Sequence, residues 1–162
     1  MHHTAAIDAS LSRQEKYDLL VEQIKALVSG ENDLIANLAN VSALIKESLG
    51  FFWVGFYRLK GEELILGPFQ GPIACSRIPV SKGVCGATVR KGATTLVSDV
   101  DAFPGHIACS SHSKSEIVVP LIAQNEVQLL LDIDSDQLND FDQVDQRYLE
   151  TVVQIIQQQH FS

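Results

Sequence analysis

Basic residues are scarce in this 162-residue chain: 12 Lys and Arg stand against 20 Asp and Glu, a formal net charge of −8. The twelve are scattered, and no stripe of them matches a phosphate backbone, which argues against nucleic acid as a partner. No run approaches the roughly 18 apolar residues needed to span a bilayer. The opening "MHHTAAIDAS" lacks the basic start and apolar stretch of a secretory signal. The expected location is therefore the cytoplasm, with no membrane partner. Internal repeats, low-complexity segments and long linkers are all missing. There are only three cysteines, Cys75, Cys85 and Cys109, an odd number without C-x-x-C spacing. A reduced compartment and that spacing exclude a disulfide scaffold and a zinc ribbon, leaving inert buried thiols or redox chemistry.

What is present is ordinary globular composition, 46% hydrophobic and 20% charged. The length fits one domain, residues 1–162, around one core. Ser12 with Glu15 three residues on forms a capping box for a helix whose apolar stripe is Leu19, Leu20, Ile24, Leu27 and Val28, stopped by Gly30. Asn32 reads as the cap of a second helix, with Leu34, Ile35, Leu38, Val41, Leu44 and Ile45 on one face and Gly50 at its end. From Phe51 the pattern turns aromatic and β-branched, and "FFWVGFYRLK" predicts a strand joined through Gly61 to "ELILGPF" as a hairpin. A short strand is expected over Ala74–Val80, a short helix from Gly83 to Gly92, and a short strand in "TTLVSDV". "SEIVVPLI" and "VQLLLDID" predict a second hairpin, and Asp140 reads as the cap of a long C-terminal helix. Helices at both ends of antiparallel strands make an α+β fold. Its parts are N-terminal helices over residues 12–50, a sheet with loops over 51–134 and a C-terminal helix over 140–161.

The chemistry concentrates in the second half. "DAFPGHIACSSHSKSEIVVPLI" carries Cys109 in a Gly-, Pro- and Ser-rich loop, with His106 three residues before it and Lys114 five after. Either cation would favour its thiolate. Cys85 sits at the start of the short helix, where the positive end of the dipole favours thiolate too. Cys75 lies near a strand start. A lone cysteine is most often a small hydrophobe, and that reading stands for each until the acids are weighed. Asp132 and Asp134 alternate with Ile133 and so share one strand face. Hairpin pairing brings Glu116 beside them. Three carboxylates without basic partners repel one another unless a cation, a metal or a ligand ammonium, sits among them. Trp53 and Tyr57, at i and i+4, also share a face and offer an apolar or cation-binding wall. Phe51, Phe52 and Phe56 read as core.

"RIPVSKGVCGA", "LVSDVDAFPGHIACSSHSKSEIVVPL" and "LLLDIDS" together resemble the free methionine-(R)-sulfoxide reductases, which are stand-alone GAF domains. The resemblance runs from about Phe51 to Phe141. It implies a GAF-like antiparallel sheet, a homodimer, and thiol-dependent reduction of free methionine (R)-sulfoxide without metal or other cofactor. By that resemblance Cys109 is the nucleophile, Cys75 its main resolving partner in a disulfide, and Cys85 a second resolving thiol. Glu116, Asp132 and Asp134 fall at substrate-holding positions, with Glu116 or Asp132 as the acid, and Trp53 and Tyr57 lie around the methyl sulfoxide. Thioredoxin or a similar dithiol would recycle the disulfide. The chain departs from the family pattern at Ser81, Ser110 and Leu129, the last expected to narrow the pocket if it faces it. A non-catalytic GAF sensor and a simple thiol switch are the alternatives.

Overall fold

The computed structural model describes residues 5–162. Residues 1–4 of the opening segment, read above as no secretory signal, lie outside the described residues. Two helices open the chain, α1 (Arg13–Ser29) and α2 (Leu34–Leu49). The strands β1 (Trp53–Lys60), β2 (Glu63–Gln70) and β3 (Arg77–Pro79) follow, then helix α3 (Gly83–Lys91) and β4 (Thr95–Val97). A 3-10 turn at Val100–Ala102 interrupts the long loop before β5 (Ser115–Ala123), β6 (Glu126–Ser135) and helix α4 (Gln143–His160). The strands form one six-stranded sheet in the order β3-β2-β1-β6-β5-β4, with every neighbouring pair antiparallel.

The capping box of α1 forms as expected, Ser12 and Glu15 satisfying each other's backbone N–H. Its buried stripe is shifted: Tyr17 and Val21 turn inward, whereas Leu19 is exposed. The cap of α2 is Asp33 rather than Asn32, because the Asp33 carboxylate is the group that accepts from Ala36 N–H. Ile35 of the expected apolar face is exposed. Gly50 closes α2 in the left-handed conformation, φ 72°, where a side chain would be strained. At α4 the cap is Asp142 rather than Asp140. Asp142 accepts from Val144 N–H, while Asp140 is drawn into a salt bridge with Arg13. The strand expected over Ala74–Val80 shrinks to Arg77–Pro79, so Cys75 sits in the loop before it.

The sheet has two different faces, set by strand alternation. Ile117, Val119, Leu121, Leu129, Leu131 and Ile133 point toward α1, α2 and α4 and form the main core with Leu20, Ile24, Leu38, Ile45, Leu149 and Val152. Each such buried aliphatic side chain contributes about 1.5–3 kcal/mol. The other face packs on α3 and its flanking loops through Trp53, Tyr57, Val84, Cys85, Val97, Val118 and Leu130. That second layer is smaller and carries the chemistry. Among the described residues, no helix is long and apolar enough to cross a membrane.

Candidate active site

Strand register builds the floor of the site. Val97, Glu116, Asp134 and Trp53 lie in one row across β4, β5, β6 and β1, because Val97 pairs with Glu116, Glu116 with Asp134 and Asp134 with Trp53. The next row sets Asp132 opposite both Val118 and Gly55. Two rows on the same face therefore gather three carboxylates beneath α3. Gly55 is the small member of its row, and the Trp53 indole lies over it. Trp53 stacks on Phe69 and Tyr57, with ring centroids 5.3 and 6.0 Å apart.

The aromatics also hold the loop that carries Cys75. Trp53 Nε1–H donates to the Pro72 carbonyl at 3.1 Å, and the Tyr57 hydroxyl donates to the Cys75 carbonyl at 2.9 Å. Cys75 is joined to Cys109 by a disulfide, with Cα atoms 5.4 Å apart across a separation of 34 residues. Cys85 is free and buried. The pocket is lined by Trp53, Tyr57, Cys85, Cys109, Glu116, Asp132 and Asp134, with Phe52, Ile73, His106, Ile107, Ser110 and Ser113 around its upper part. A second groove, around Glu150, Val153 and Gln157, contains no thiol.

The electrostatics follow from burial. No Lys or Arg lines the pocket. Burial raises the Glu116 carboxyl well above its ordinary range, and the charges of Asp132 and Asp134 raise it further. Asp134 is pushed up by burial and then by Asp132, with a hydrogen bond from Ser113 opposing. Asp132 is raised to about 6, again by burial, while hydrogen bonds from Glu116 and Cys85 pull it partly back. Its Oδ1 is buried without a hydrogen-bond partner. Cys85 behaves opposite to the helix-dipole expectation. Its thiol is driven well above the normal range, first by burial and then by Asp132 and Glu116. A fractional dipole charge is outweighed where a buried thiol faces carboxylates. Of the metal-capable groups, Cys85, Glu116 and Asp132 each offer a ligand atom within 4.8 Å of the others, among the described residues.

All eight residues singled out from the sequence line this pocket, except that Cys75 meets it through its bond to Cys109. His106 lines it and Lys114 does not. Leu129 faces the helices and not the pocket, so it cannot narrow the site. Phe52, read as core, lines the pocket instead and lies near His112, ring centroids 5.8 Å apart. Gly55, Ile73 and Ser113 were missed. Only Gly55 left a usable trace in the sequence, as a glycine inside an aromatic strand, which signals a close approach.

The GAF domain family matches residues 33–158. The free methionine-R-sulfoxide reductase of Escherichia coli is 45% identical, covering 88% of this chain and 87% of that protein. The free methionine-R-sulfoxide reductase of Saccharomyces cerevisiae is 39% identical, covering 96% and 92%. The X-ray structure of the free methionine-R-sulfoxide reductase from Neisseria meningitidis, in complex with its substrate, superposes with a TM-score of 0.93 at 46% identity, covering 97% of this chain and 95% of that one. A thiol pair over a carboxylate floor, on this sheet and at these identities, has one reading: the chain belongs to the GAF domain family and, within it, to the free methionine-R-sulfoxide reductases.

Proposed function

We propose that the protein reduces free L-methionine (R)-sulfoxide to L-methionine, as its relatives' names indicate for them. The observation that carries this reading is the Cys75–Cys109 disulfide over a pocket whose floor holds three carboxylates and no Lys or Arg. The bonded pair is the product state expected of such a reaction.

In the reduced enzyme the Cys109 thiolate attacks the sulfoxide sulfur. The departing oxygen takes a proton from Glu116, which burial and its acidic neighbours keep protonated. Methionine leaves, and the oxygen remains on Cys109 as a sulfenic acid. The Cys75 thiol then condenses with it, releasing water and forming the disulfide. Asp132 and Asp134 hold the substrate ammonium by charge-assisted hydrogen bonds, which selects free amino acid over a residue inside a polypeptide. Trp53 and Tyr57 wall the methyl sulfoxide end. Cys85, whose thiol is kept protonated, is the reserve thiol rather than the first to resolve. Reduction of the disulfide by thioredoxin or a similar dithiol returns the enzyme to its starting state. Residues 1–162 act as one GAF unit, paired as a homodimer and working in the cytoplasm.

The test is NADPH consumption in a thioredoxin-coupled assay with the separate R and S sulfoxides of free methionine. Turnover of the R epimer alone, abolished in Cys109→Ser, is the expected result. No turnover of either epimer by fully reduced protein would sink the reading.

A further inference from the structure

Cys85 takes no part in the disulfide, yet its thiol is aimed at two carboxylates on the pocket floor. Its Sγ lies 3.6 Å from Asp132 Oδ2 and 4.0 Å from Glu116 Oε1. A tetrahedral zinc ion, with Zn–S of about 2.3 Å and Zn–O of about 2.0–2.1 Å, spaces a sulfur and an oxygen ligand about 3.6 Å apart. The first separation already matches, and the second closes with a shift of a few tenths of an ångström. Independently, Asp132 is only 5% exposed, lines the pocket, and has an Oδ1 with no hydrogen-bond partner. A buried carboxylate oxygen left in that state is costly unless a cation or donor completes it.

We infer that Cys85, Glu116 and Asp132 form an inhibitory site for a borderline-soft divalent cation of the Zn²⁺ type, whose occupation excludes the substrate ammonium group. The thiol surrenders its proton on binding, the carboxylates surrender any they hold, and no electrons move. One thiolate and two carboxylates overcompensate a dication, and a fourth coordination position faces the open pocket. Mg²⁺ and Ca²⁺ are disfavoured, since they require more ligands and oxygen only. Competition with the sulfoxide rests on the reductase reading, whereas the metal site itself does not.

The disulfide form allows a clean test, because Cys85 is then the only free thiol of the three cysteines. Oxidised protein titrated with Cd²⁺ should develop one thiolate-to-cadmium charge-transfer band per chain, and Zn²⁺ should quench it stoichiometrically. Cys85→Ser should abolish the band and weaken Zn²⁺ binding at least tenfold by calorimetry. Asp132→Asn, which keeps the thiol, should retain the band and weaken Zn²⁺ comparably. With free Zn²⁺ held by a nitrilotriacetate buffer, free methionine sulfoxide should lower the apparent Zn²⁺ affinity and N-acetylmethionine sulfoxide should not. Absence of the band, or Zn²⁺ affinity indifferent to both substitutions, overturns the site. Zn²⁺ that binds at Cys85 but resists displacement overturns the competition. Metal-free turnover without zinc binding would remove this inference alone, and zinc binding without turnover would remove the reductase reading alone.

Discussion

Glu116 and Asp134 are direct register partners on β5 and β6, and both carboxyls sit on the same buried face as Asp132. The fold therefore stores like charge where water is scarce, and stability must depend on pH in a defined direction. Asp132 titrates near 3.8 when unfolded and near 6 when folded. A raised folded value means that the native state binds the proton more tightly. The associated stability is fully present below the unfolded value and is lost as pH rises through about 6. Asp132→Asn removes that loss and relieves Glu116 and Asp134 as well. The variant should exceed wild type in urea stability at about pH 8 by on the order of 2–3 kcal/mol, with the gap closing toward about pH 4. A constant gap across that range would show that Asp132 is not the group titrating.

Leu129 separates the two faces of the sheet. It is 1% exposed and packed among the helices. Leu129→Ala should cost about 2–4 kcal/mol in denaturant unfolding. KM for methionine sulfoxide should stay at the wild-type value, since no atom of the pocket moves directly. A changed KM with unchanged stability would mean that the residue faces the site.

Much of this arrangement is legible in the sequence because strands alternate and hairpins pair. Asp132-Ile133-Asp134 announces one acidic face, and the short turn at Gln124-Asn125 brings Glu116 opposite Asp134. Helix α1 announces its start through Ser12 and Glu15. Boundaries fail where a nearby residue can serve equally well: Asp33 displaces Asn32 as a cap, and Asp142 displaces Asp140. The state of Cys85 was not readable at all. A position at a helix start implies an activated thiol, and only the fold reveals that carboxylates distant in sequence lie 3.6 and 4.0 Å away. Phe52 likewise continues an aromatic run, and its place beside the pocket depends on where β1 begins to twist into the sheet.

Asp145 joins the first and last helices. Its fully buried carboxylate accepts from the Tyr17 hydroxyl at 2.7 Å, from Arg13 at 3.2 Å and from Asp142 N–H at 2.9 Å. Arg13 also meets Asp140, whose other oxygen accepts from Ser135 beside Asp134. Removing the carboxylate strands several partners together, whereas removing the Tyr17 hydroxyl leaves the ion pair intact. Asp145→Ala should cost about 3–5 kcal/mol, and Tyr17→Phe about 1 kcal/mol. Equal losses in urea unfolding would mean that Arg13 contributes nothing to the junction.

Gly55 shapes the aromatic wall from beneath. A Cβ there would meet Phe69 Cβ at 2.5 Å and Trp53 Cζ3 at 2.8 Å, both far inside van der Waals contact. The Phe69 contact involves a Cβ fixed to the adjacent strand, so the strand pair must shift or the indole must lift. Overpacking of this kind costs about 1–3 kcal/mol. Lifting the indole moves it toward the space where the methyl sulfoxide would lie, while the thiols and acids keep their places. Gly55→Ala should therefore raise KM by roughly 10- to 100-fold, because small displacements at a positioning wall carry that penalty. Single-turnover formation of the Cys75–Cys109 disulfide at saturating sulfoxide should proceed near the wild-type rate. A slowed single turnover with unchanged KM would place the effect on the thiols and not on the wall.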